Sequence, residues 1–122
     1  VLRKAKIKNK ILILGWIPES RLDETLKYDL SFSLYNSEIP EKFSAKRFKV
    51  HLKIETGTNR QGILIGELSD FAKKLAKTNF LIEGLYSHPA DSENPNSKFW
   101  TSQVQNLMKA KEILAYNFIF PR

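Results

Sequence analysis

At 122 residues, with 42% hydrophobic and 11% aromatic side chains, the chain can hold one domain with a core of its own, which excludes a disordered or collagen-like polymer. The net charge of +7, with a pI near 9.7, raises the question of an acidic partner such as nucleic acid. Most of that charge is scattered lysine, clustered only at Arg3-Lys4-Ala5-Lys6-Ile7-Lys8 and Lys46-Arg47-Phe48-Lys49, so a solvated surface is expected and nucleic acid is not the expected partner.

The absence of cysteine excludes disulfides and thiolate metal sites, and two histidines leave no all-histidine metal site to expect. A reducing cytoplasm fits. No apolar run approaches bilayer length, and Val1-Leu2-Arg3-Lys4 lacks the apolar stretch of a secretory peptide, so no membrane association is expected.

In chain order, Val1 to Ala5 resembles the tail of a helix, and Ile11-Leu12-Ile13-Leu14 reads as a first strand. Pro18 suits the first turn of a helix carrying Leu22 and Leu26. Leu30 to Tyr35 reads as a second strand, with Ser31, Ser33 and Tyr35 on one face. From Ser37 to Phe48 no more than a short helix around Pro40 is expected. Val50 to Glu55 forms a third strand, with His51, Lys53 and Glu55 on one face. Gly66-Glu67 can open a helix that puts Leu68, Phe71 and Leu75 on one side. Leu81 to His88 is a fourth strand, Asp91 to Ser97 a polar loop, and Trp100, Val104, Leu107, Lys111 and Leu114 follow a helical spacing. Phe118-Ile119-Phe120 looks like the start of a fifth strand, so the chain is expected to be a central piece of a larger fold.

Alternating strands and helices imply parallel strands joined by crossovers, an α/β layout. Strands covered by helices on both faces need no polar residues, whereas polar residues on one face of a parallel strand suit the interior of a barrel near its mouth. The alternative is an edge strand facing water.

Ligands in parallel α/β folds sit at the carboxyl ends of strands, which directs attention to the loop from Thr56 to Gly62. It brings Lys53, Glu55 and Arg60 together. A planar guanidinium holds a carboxylate through two parallel hydrogen bonds, so Arg60 is the ligand-binding candidate, with a salt bridge to Glu55 as the plain alternative. His88, at the end of the fourth strand, falls at the same mouth and can act as a base, a relay or a packing surface for a planar ring; the plain alternative is a half-buried residue with a backbone partner. No P-loop, dinucleotide fingerprint or catalytic triad accompanies them.

Lys53-Ile54-Glu55-Thr56-Gly57-Thr58-Asn59-Arg60 and Gly84-Leu85-Tyr86-Ser87-His88 resemble two motifs of bacterial alanine racemases, Lys-x-Asp-Thr-Gly-x-x-Arg and Gly-[Ile/Leu]-[Tyr/Phe]-[Thr/Ser]-His. Ile11 to Trp16 and Tyr28 to Tyr35 resemble the two preceding strands of that family, in the same order, so the resemblance covers nearly all of residues 1–122 as part of one barrel domain.

The resemblance implies about four units of a (β/α)8 TIM barrel that binds pyridoxal 5′-phosphate, a further β-rich domain and a homodimer. It implies interconversion of L- and D-alanine, which supplies D-alanine for the cell wall. Arg60 would contact the cofactor's phenolic oxygen and the substrate carboxylate. Lys53 would be a carbamylated lysine that holds Arg60, and His88 would bond an arginine facing the cofactor's pyridine nitrogen. Neither proton-exchanging base, a Schiff-base lysine and a tyrosine, is expected within the chain, so alone it is expected to be inactive. Glu55 departs from the usual aspartate, and Pro89 from the usual phenylalanine. Two other readings are a racemase for serine or another amino acid, and a small basic α/β binding domain using the lysines near Arg3 and Lys46.

Overall fold

The computed structural model describes residues 1–36, 38, 41–94 and 96–117. Its strands are β1 (Leu12–Ile13), β2 (Ser31–Leu34), β3 (Lys49–Glu55), β4 (Ile63–Leu64) and β5 (Leu81–Tyr86), all paired in parallel. The helices are α1 (Leu22–Lys27), α2 (Leu68–Leu75) and α3 (Lys98–Asn117), and 3-10 turns form at Glu19–Arg21, Glu41–Phe43 and Ile65–Glu67. Strands β1, β2, β3 and β5 lie side by side in chain order, while β4 adds two residues against Ile54 and Glu55 at the end of β3. This is the expected α/β layout, with an α-helix after β1, β4 and β5 and a 3-10 turn between β2 and β3 among the described residues. The short β4 was not expected, since two residues are too few to leave a periodic signal.

Register divides the sheet into two faces. Phe32 pairs with Val50 and Leu34 with Leu52, while Ile82 and Leu85 flank the same two β3 residues from the other side. Val50, Leu52 and Ile54, at most 1% exposed, pack with Leu68, Phe71, Ala72 and Leu75 of α2 and Ala110 and Leu114 of α3 in one core. Burying each such side chain stabilises the fold by roughly 1.5–3 kcal/mol. Phe48, fully buried just before β3, is met edge-on by Phe32, Phe43 and Phe80 at centroid distances of 5.6, 5.9 and 5.6 Å, the arrangement that ring quadrupoles favour.

The other face is polar, as the alternation in β2 and β3 predicts. Ser31 donates to Glu83, Ser33 and Tyr86 share a hydrogen bond of 2.7 Å, and His51 Nε2 lies 3.9 Å from Glu83 Oε2. A bulge between Val50 and His51 puts His51 opposite Gly84, leaving Glu83 as the extra residue; bulges of this kind re-aim a side chain. A Cβ on Gly84 would stand 2.6 Å from His51 Nδ1, so the glycine makes room for the imidazole.

Three local expectations shift. Pro18 precedes the 3-10 turn at Glu19–Arg21, so it sits outside the helix; its missing N–H is harmless there too. Gly66-Glu67 belongs to the 3-10 turn before α2, which begins at Leu68. On α3 Leu114 is buried as expected, but Gln103 and Ala110 are buried with it and Lys111 is exposed, so the covered face is rotated part of a turn from the expected one through Trp100, Val104, Leu107, Lys111 and Leu114. The short helix expected near Pro40 is a 3-10 turn at Glu41–Phe43, while Pro40 itself and the strand expected at Phe118-Ile119-Phe120 lie outside the described residues. At the amino end a helical turn forms, with Ala5 N–H donating to the Val1 carbonyl at 3.0 Å.

Candidate functional site at the ends of β3 and β5

Beyond Glu55 the chain leaves the sheet in a tight loop that returns to β4 at Ile63. Such a turn needs residues that accept positive φ, and Gly57, Asn59 and Gly62 supply them at 140°, 54° and 147°. Gly62 is also required by space, because a Cβ there would lie 2.4 Å from the Glu55 backbone nitrogen. With its ends so constrained, the loop closes over the Glu55 carboxylate. Oε1 accepts from Gly57 N–H at 2.6 Å and Oε2 from Arg60 N–H at 3.2 Å. Burial raises the Glu55 pKa, but hydrogen bonds from the backbone of Asn59, Gly57, Arg60 and Thr58 outweigh it, and the pKa lies below the ordinary carboxylate value.

Arg60 joins this closure through its backbone and not through its side chain. Its guanidinium forms no ion pair with Glu55, whose oxygens are taken by backbone N–H groups, and among the described residues no other acid pairs with it. Arg60 is exposed at the carboxyl end of β3 with its backbone anchored and its charged head available. Lys53 points the other way in exposure. It is 7% exposed, lies on the polar face, and its Nζ donates a long 3.4 Å hydrogen bond to Gln61 Oε1.

His88 follows β5 by two residues, and its side chain is exposed rather than half-buried. Its backbone is held at the β3 loop, because Thr58 donates its hydroxyl to the His88 carbonyl. Ser87 adds a second tie, donating to the Ile54 carbonyl at 2.9 Å and sharing 2.7 Å with Thr56 Oγ1. The structure therefore brings the Arg60 loop and the His88 segment to one end of the sheet.

Sequence reasoning missed the residues that fasten this end. Gln103 of α3 is 1% exposed and bonds both Thr58 Oγ1 and Ala90 N–H, and Asn106 donates to the Thr56 carbonyl at 3.2 Å. The signal for Gln103 is a polar residue in line with the apolar Leu107, Ala110 and Leu114 of α3.

The basic clusters have structural duties. Arg3 donates to the carbonyls of Tyr28, Ile7, Asn9 and Asp29 at 2.7–2.9 Å, Lys46 lies 2.7 Å from Asp23 Oδ2, and Lys49 pairs with Asp29. These contacts engage one cation of the first cluster and two of the second.

The family model described as alanine racemase, N-terminal domain, matches residues 1–121. Alanine racemase 1 of Clostridium acetobutylicum is 34% identical over 112 residues, which cover 85% of this chain and 29% of that protein. The crystal structure of Bacillus anthracis alanine racemase with bound L-Ala-P superposes with a TM-score of 0.82 at 24% identity, covering 94% of this chain and 32% of that one. Histidine racemase from Leuconostoc mesenteroides superposes with a TM-score of 0.72 at 19% identity, covering 86% and 30%. The chain thus spans about a third of the length of these relatives, and its four parallel units are a segment of the expected (β/α)8 barrel. On the family match along nearly its whole length, the chain belongs to the alanine racemase family, within the N-terminal domain.

Proposed function

We propose that the protein containing this chain interconverts L- and D-alanine with pyridoxal 5′-phosphate, and that Arg60 is the group in this segment that holds the substrate carboxylate. The observation that carries the reading is the Arg60 guanidinium itself, exposed at a strand end, free of an acidic partner among the described residues and rooted in a loop closed over Glu55. A guanidinium so placed can form two parallel charge-assisted hydrogen bonds to a carboxylate, or bond the phenolic oxygen of the cofactor. The donor set fits that cofactor: a fixed cation for an anionic oxygen and, at the same mouth, an exposed imidazole able to bond an arginine at the pyridine nitrogen. When bound, the cofactor supplies the electron sink that lets the α-proton leave.

Lys53 has a supporting part in this reading. Lys53 is 7% exposed, lies beside Gln61 and has no carboxylate partner among the described residues. We assign it as the carbamylated lysine, whose negative charge attracts Arg60 where an ammonium would repel it. His88 acts on the cofactor indirectly in this reading, by bonding an arginine that faces the pyridine nitrogen. The whole enzyme is read as a cytoplasmic homodimer supplying D-alanine for peptidoglycan; no described helix is long and apolar enough to cross a membrane.

A racemase for another amino acid is the second reading. The histidine racemase shares this fold, and a fold does not fix a substrate side chain. A guanidinium that reads only the carboxylate serves either substrate.

The test is Arg60→Lys in the full-length enzyme, which keeps the charge and loses the paired geometry. Transition-state stabilisation should fall by about 1.5–3 kcal/mol, the range for a hydrogen bond to a charged group. Wild-type kcat/KM for alanine in that variant contradicts the assignment, and comparing alanine, serine and histidine as substrates separates the two readings.

A further inference from the structure

Gln103 is a polar side chain in an apolar position. It stands in line with Leu107, Ala110 and Leu114 on the covered side of α3, and only 1% of it is exposed. Both ends of its amide are bonded, and they reach two different segments. Oε1 accepts from Ala90 N–H at 3.0 Å, two residues after His88, and Nε2 donates to Thr58 Oγ1 at 3.4 Å, two residues before Arg60. The Thr58 hydroxyl in turn donates to the His88 carbonyl. The loop also rests on this side chain, since a Cβ on Gly57 would meet Gln103 Cγ at 3.3 Å.

An apolar residue of similar length would serve helix packing as well, and a buried amide adds a desolvation cost that its hydrogen bonds must offset. What the amide adds is a fixed distance between two loops. Glu55 ties the Arg60 loop to its own strand, β3, and Ser87 and the Thr58 hydroxyl tie the loop to the end of β5; Gln103 braces that joint from α3, through Thr58 on one side and Ala90 on the other. We propose that Gln103 is a positioning residue which sets where the Arg60 guanidinium stands relative to the His88 segment, and so tunes the affinity for the substrate carboxylate. This rests on the reading of Arg60 as the carboxylate ligand.

The test uses the full-length holoenzyme. Gln103→Met keeps most of the volume and removes both hydrogen bonds, and Thr58→Val keeps the shape of the loop residue and removes the hydroxyl that joins Gln103 to His88. Binding of propionate, the substrate's carboxylate without its amine, is measured by calorimetry, alongside KM and kcat for alanine. Propionate affinity should fall and KM rise by about tenfold in each variant, with kcat changing less; tenfold corresponds to about 1.4 kcal/mol. In an Arg60→Lys background, Gln103→Met should add no further loss, because the group it positions is already gone.

Unchanged propionate binding in Gln103→Met and Thr58→Val overturns the proposal, and so does an equal loss with or without Arg60, which is what a merely structural role gives. If Gln103→Met does not fold, Thr58→Val decides alone. If Arg60→Lys itself leaves propionate binding unaltered, the carboxylate reading of Arg60 fails first, and the inference falls with it for a distinguishable reason.

Discussion

Two glycines near this site are fixed by different kinds of neighbour, and the difference can be measured. At Gly62 the atoms that exclude a Cβ belong to the backbone of Ile54 and Glu55, and φ is +147°, so neither can be relieved by a side-chain rotation. At Gly84 the obstruction is the His51 imidazole, 2.6 Å from the would-be Cβ, and φ is ordinary. Gly84→Ala in the full-length enzyme should therefore cost about 1–3 kcal/mol, the usual range for overpacking. Most of that loss should vanish when His51 is also changed to alanine. Gly62→Ala should not be rescued by His51→Ala. Thermal unfolding of the four variants gives the coupling, and a loss at Gly84 that is the same with and without the imidazole rules out steric contact as its cause. At this scale the sequence placed Arg60 and His88 at strand ends, where the structure puts them together, while their choice as site residues came from the family resemblance. Thr56, Thr58 and Ser87 could not be named, because a hydroxyl acts only through a partner some 30 residues away that no spacing reveals.

The longer elements were legible because their faces repeat. Alternation in β2 and β3 predicted a polar face and an apolar face, and α2 presents Leu68, Phe71 and Leu75 to the core as its spacing implies. On α3 the expected face through Trp100, Val104, Leu107, Lys111 and Leu114 is right at Leu114 but too far round at Lys111, because the helix also buries Gln103, whose amide is satisfied by loops far away in sequence. Local periodicity carries no information about such partners, so tertiary contact decided the rotation. The rotation has a consequence at two neighbouring turns. Leu114→Ala removes a fully buried side chain and should lower the stability of the full-length enzyme by about 2–5 kcal/mol. Lys111→Ala changes an exposed one and should stay within about 0.5 kcal/mol. Comparable losses at the two positions, measured by thermal or chemical denaturation, would mean that the helix is turned the other way.

For the chain as a whole the sheet edges matter most. Among the described residues β1 pairs only with β2 and β5 only with β3, so each has an outer row of backbone N–H and C=O groups without a described strand partner. Apolar surface lies close by. Leu14 and Trp16, just past β1, are 58% and 73% exposed, and between β5 and α3 an open groove of about 430 Å3 is lined by Leu85, Leu107 and Met108. A chain spanning about a third of its relatives leaves such features to be covered by the rest of the barrel, and natural blunting of a strand edge is needed only where the edge meets water. The polar face, with Ser31, His51, Lys53 and Glu83, is the side a closed barrel would enclose, and alone it gains no opposing wall. Pairing two copies edge to edge satisfies the backbone groups and covers the apolar groove in one step. The isolated 122-residue chain is accordingly expected to self-associate or to unfold in part, and to show no racemisation. Size exclusion coupled to light scattering, with melts at several dilutions, tests the first expectation: mass and midpoint should both rise with concentration. A monomer of constant mass with a sharp, concentration-independent transition would show that four units close their own edges, and that the barrel segment is a self-sufficient domain.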